Sequence, residues 1–119
     1  MPEDPLKALS DQASEAHAKI QQAHQQINPV VAIRRGLRDS GIPADVMTID
    51  CLRTRRRIML VLHDKELGTL LYQFLSLDEN PGDDFQRKSL SEVNTDTLFS
   101  WMQSYFSDET QNKQSGTRP

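Results

Sequence analysis

The sequence predicts an α+β fold: an antiparallel sheet of three or four strands flanked by helices, in the order α-α-β-β-β-(β)-α, with an extended N-terminal helix. Three observations carry this reading. Apolar residues recur at helical spacing over 6–27 and again over 98–106, the period shortens toward two between residues 45 and 77, and clusters of turn residues separate the segments. A chain of 119 residues is one domain's worth. Its 36% hydrophobic content is low, so part of it is expected outside the core; residues 107–119, which contain no large apolar side chain, read as a disordered tail.

The first helix is expected over residues 1–27. Leu6, Leu9, Ala13, Ala16, Ile20, Ala23 and Ile27 are separated alternately by three and four positions. That is a narrow seam, suited to packing against another helix. The helix partner is either a second copy, giving a homodimer through residues 6–27, or the chain's own α+β domain over 28–106. Asn28-Pro29 reads as the N-cap and first residue of a second helix reaching Ser40, with Val30, Ile33 and Leu37 on its buried edge and Gly41 as a left-handed C-cap.

Met47, Ile49 and Cys51 alternate with Thr48, Asp50 and Leu52, predicting a strand over 45–53. Residues 58–63 are an almost unbroken apolar run, suited to a central strand covered on both faces. Asp64-Lys65-Glu66-Leu67-Gly68 reads as a hairpin loop with Gly68 at positive φ, followed by a return strand over 69–77 carrying Leu71, Tyr72, Phe74 and Leu75. Residues 78–84 are a charged loop. Residues 85–90 read as a possible fourth strand, polar enough for a sheet edge. After the candidate N-caps Asn94, Thr95 and Asp96, the stripe Leu98, Trp101, Met102, Tyr105 and Phe106 predicts a closing helix. The expected core is Val30, Ile33, Leu37, Met47, Ile49, Cys51, Ile58, Leu60, Leu62, Leu71, Phe74, Leu98, Trp101, Met102 and Phe106.

Chemistry-bearing motifs are sparse. There is no glycine-rich phosphate loop, nucleophile elbow, metalloprotease helix motif or paired-cysteine spacing. Cys51 is in phase with Met47 and Ile49 and reads as a small buried hydrophobe. His63 and Asp64 are adjacent, and neighbours on a strand point to opposite faces. His17 and His24 lie seven apart on one helix face and read as surface residues flanking the seam. No cofactor or metal is expected.

Charge is the informative feature. Between Ile33 and Arg57 stand seven arginines, Arg34, Arg35, Arg38, Arg53, Arg55, Arg56 and Arg57, against Asp39, Asp45 and Asp50; beyond Asp78 acids dominate, in a chain of net charge −3. These arginines are the candidate binding residues, able to meet carboxylates or phosphates in bidentate fashion. Like charges crowded into one turn repel, so an external acidic partner or the chain's own 78–84 loop is expected to compensate them. An acidic total disfavours non-specific nucleic-acid binding.

These features predict a small non-catalytic adaptor or regulatory protein acting through protein–protein contacts, with an acidic partner and a homodimer among its expected associations. The alternative is an anion or nucleic-acid binding module using the cluster from Arg34 to Arg57; an enzyme comes third. The first residues lack a basic and apolar leader pattern, no run is long enough to span a bilayer, and a single cysteine forms no internal disulfide, so a cytoplasmic protein without membrane association is expected.

Overall fold

Helix α1, Pro5–Ala23, lies across one face of a five-stranded antiparallel sheet in a computed structural model that describes residues 5–25, 27–34, 36–82 and 84–106. The strands β1 (Val30–Arg34), β2 (Ala44–Cys51), β3 (Arg56–His63), β4 (Thr69–Ser76) and β5 (Gln86–Ser89) form a meander in sequence order. A one-turn helix α2, Gly36–Asp39, links β1 to β2, and helix α3, Thr95–Phe106, closes the chain. The α+β class and antiparallel order are those expected. The strand count is five, above the three or four expected. The expected tail at 107–119 lies outside the described residues.

The additional strand is β1, where a helix over 29–40 was expected. The β-branched run Val30, Val31 and Ile33 favours extended backbone, and β1 pairs without interruption from Val30↔Asp50 to Arg34↔Val46. Pro29 stands just before the first strand residue, a position where its missing N–H removes nothing from the ladder. As a consequence Val30 and Ile33, expected in the core, are exposed, and Leu37 is half-buried. Gly41 keeps its expected role: at φ +91° it turns the chain out of α2 toward β2.

Strand register sorts the side chains into two faces. Met47, Ile49, Cys51, Ile58, Leu60 and Leu70 point to one side and join Leu6, Leu9, Ala13, Ala16 and Ile20 of α1 and Leu98, Met102 and Phe106 of α3 in one buried cluster. The seam of α1 is therefore used inside the chain, and its five residues from Leu6 to Ile20 are at most 4% exposed. Alanines at two of those positions let α1 approach α3 closely. Lys19 pairs with Asp96 at 3.1 Å, and the Thr95 hydroxyl donates to Glu15 at 2.7 Å, fastening the start of α3 to α1. Asn94 caps α3 by accepting the Thr97 N–H at 2.9 Å, as its sequence position suggests.

Trp101 lies at the margin of this core and is half-buried. Its ring stacks on Tyr72 at 4.5 Å and meets Phe74 edge-on at 5.6 Å, while Phe74 lies 5.2 Å from Tyr105. The aromatic stripe of α3 thus clamps the helix to β4, and the smaller Leu98 and Met102 fill the centre.

Because α1 is integral to the core, Ile20→Ala is expected to cost about 2–5 kcal/mol, the range for a buried aliphatic truncation, with unfolding still a single transition. Urea denaturation followed by circular dichroism checks this; an unchanged midpoint would show that α1 lies outside the cooperative unit.

Candidate functional site

The second face of the sheet carries the candidate site. Among the described residues no helix of the size of α1 or α3 covers it. Cross-strand register lines up Arg34, Val46, Val61, Leu71 and Arg87 from the first strand to the last. Three aliphatic side chains thus lie between two arginines on opposite edges of the sheet, about 19 Å apart at the usual strand spacing. Two walls turn this row into a trench. One is formed by Leu37 and Ile42, on either side of the Gly41 turn; the other is formed by Pro81 and Phe85 of the loop between β4 and β5. Gln73 pins that loop, its carboxamide accepting from the Gly82 N–H at 3.1 Å and donating to the Asp84 carbonyl at 3.3 Å.

The trench encloses about 720 Å³, and Ala44, Met59 and Val61 belong to its floor. Arg34 and His63 stand at its rim. Arg34 is exposed and makes no ion pair with any described residue. His63 accepts the Lys65 N–H on Nδ1 at 3.1 Å. Exposed Ile42, on the trench wall, adds apolar surface.

The other candidate arginines are placed very differently. Arg38 clamps two carboxylates at once, Asp45 at 2.7 and 3.2 Å and Asp64 at 2.9 Å through two nitrogens. Arg55, in the β2–β3 turn at φ +56°, holds Asp78 at 2.6 and 3.2 Å. Arg57 faces Asp50 directly across β2 and β3 and binds it at 2.8 and 3.0 Å. Arg56 donates to the Tyr105 carbonyl at 2.8 Å, near the end of α3, and its guanidinium sits 5.0 Å from the Tyr105 ring centre. Arg53 is exposed in the turn and is also engaged. Arg35 lies outside the described residues. The charge crowded into this turn is therefore compensated from within, chiefly by Asp50 and by Asp78 of the acidic loop.

The pairs leave an electrostatic signature. Hydrogen bonding to Arg38 holds the Asp64 carboxyl below its ordinary range, Arg87 does the same for Glu66, and Arg55 for Asp78. Arg38, Arg55, Arg57 and Arg87 are correspondingly pushed further toward the charged form. Burial pushes the Tyr105 phenol up, against the pull of Arg56.

The sequence pairing of His63 with Asp64 does not form a catalytic unit: Asp64 belongs to Arg38, and His63 to the backbone of Lys65. Cys51 is buried in the core, as its phase indicates. Among the described residues no group of three or more His, Cys, Asp or Glu side chains is arranged to hold a metal, and no helix is long and apolar enough to cross a membrane. The trench itself was missed at the level of sequence. Its signal was the apolar run of β3, which indicated burial on both faces without showing that only one face has helices to cover it.

No protein-family model, curated protein or solved structure matches the chain.

A carboxyl titration by NMR is expected to find Asp64, Glu66 and Asp78 below the ordinary values, with Arg38→Ala returning Asp64 upward. The sign for stability follows: what these pairs contribute is complete above the unfolded-state carboxyl pKa values and is lost as pH falls through the lowered folded ones. Ordinary midpoints at all three residues would remove these pairs from solution.

Proposed function

We propose that the protein is a small non-catalytic adaptor or regulatory protein that receives a protein partner on the open face of its sheet. The observation carrying this reading is a trench lined almost wholly by aliphatic and aromatic side chains, with an exposed arginine at its rim that makes no ion pair with any described residue. An apolar concavity with a few polar groups at its rim is the usual form of a binding site. The chemistry of the trench specifies the partner: a segment apolar along its length, with a carboxylate positioned to meet Arg34. A cytoplasmic location belongs to the same reading, since the single cysteine is a free thiol.

The bidentate pairs also weigh against the anion and nucleic-acid alternative. Phosphates would have to displace carboxylates already bound to Arg38, Arg55 and Arg57, and a backbone carbonyl from Arg56.

Capture from native cytoplasmic extract tests the proposal with three full-length baits: wild type, Val61→Glu in the trench, and Arg55/Arg56/Arg57→Ser at the turn, all used at a temperature where circular dichroism shows each folded. The expected result is one partner retained by wild type and the turn variant and lost by Val61→Glu. A ligand lost from the turn variant, kept by Val61→Glu and steeply weakened by salt would place binding at the arginines instead.

A further inference from the structure

The two edges of the sheet are built differently. Strand β5 presents Gln86, Arg87, Lys88 and Ser89, and a short, charged edge resists pairing with another chain. Strand β1 carries Val30, Val31, Ala32 and Ile33 in succession, with no lysine or proline within it. Its pairing to β2 runs through all five residues without a bulge. Val30 and Ile33, on opposite faces, remain 48% and 44% exposed. Since β1 has a neighbouring strand on one side only among the described residues, alternate residues direct their N–H and C=O groups away from the sheet.

We propose that β1 pairs antiparallel with β1 of a second copy about a two-fold axis at Ala32, joining the two sheets into one. Residues opposed in a sheet share a face, so such an axis must fall on a residue. At Ala32 it engages the whole strand. Val31 lies opposite Ile33 of the second copy on the helix side, and Val30 lies opposite Arg34 on the trench side. An axis at Val31 would set Ile33 against Pro29, which has no N–H to donate. An axis at Ile33 would set Val30 against Gly36, the first residue of α2.

The sequence of this edge complements itself, which selects a second copy as its occupant. Both exposed aliphatic residues are covered by the pairing, Ile33 by a valine and Val30 by the methylene stem of an arginine whose charged end stays in water. No like charges face one another. The α1 seam remains in its own core, so association is assigned to the sheet edge and not to residues 6–27. The pairing and the trench share Arg34, but their tests are separate, because Ile33 points to the helix side and Val61 to the other.

Cysteine scanning in the full chain tests the pairing. Opposed Cα atoms lie about 4.5–5.5 Å apart, within the span of a disulfide, so Ala32→Cys is expected to form a cross-linked dimer under mild oxidation. Val30→Cys is expected not to, because its two copies would lie about 13 Å apart along the strands. Native Cys51 is buried and does not interfere. In sedimentation, wild type is expected as a dimer and Ile33→Lys as a folded monomer. A wild type that stays monomeric at high micromolar concentration, or equal cross-linking at positions 30 and 32, would overturn the proposal; the cross-linking result stands even where the lysine variant fails to fold.

Discussion

Five strands and two long helices impose the constraint on which the molecule depends: a sheet has two faces, and both helices lie on the same one. On that side the solution is complete. Fully buried Ile49, Ile58 and Leu60 from the sheet meet fully buried Ile20, Leu98, Met102 and Phe106 from the helices. On the other side Val46 and Leu71 are buried on the trench floor, which α2, the Ile42 segment and the loop held by Gln73 line at the margins. Thr48 on that same face is wholly buried, and its hydroxyl has no partner among the described residues. Apolar strand positions without a helix to cover them leave a trench.

The arginines serve that architecture as clamps at the sheet margins. Arg38 ties α2 to the start of β2 and to Asp64, just beyond β3. Arg55 ties the β2–β3 turn to the loop after β4, and Arg56 ties β3 to the end of α3. Arg87 ties the last strand to Glu66. Most of these pairs are solvent-exposed and individually modest. Their geometric effect is larger: each joins segments distant in sequence, and together they resolve an uneven charge map inside the fold. Arg34 stands apart as the cation at the trench rim with no such tie to any described residue.

Much of the fold is legible in the sequence because period-two alternation and the apolar run specify β2, β3 and β4 directly, and Gly41 and Gly68 mark positive-φ turns that only glycine adopts without strain. The error at residues 29–40 has a definite cause. Asn28-Pro29 is also a good helix start, and three arginines suit a helix end, so local signals outweighed the β-branched run whose strand geometry is fixed by pairing to β2. The arginine partners were only half legible. The 78–84 loop supplies Asp78 as composition suggested, whereas Asp50 becomes the partner of Arg57 through a register that no local pattern specifies. The trench is assembled from β1, α2, β2, β3, β4 and two loops, so no stretch of sequence contains it.

The central claim is that the two faces of β3 meet different surroundings, one sealed core and one open apolar surface. Methyl NMR of the folded protein with a soluble paramagnetic agent measures this directly, since relaxation enhancement reports each methyl group's access to solvent. Met59 and Val61 are expected to be strongly relaxed while Ile58 and Leu60, their immediate neighbours along the strand, remain unaffected. Equal protection of all four residues would mean that the second face is covered in the free protein, and would contradict the account.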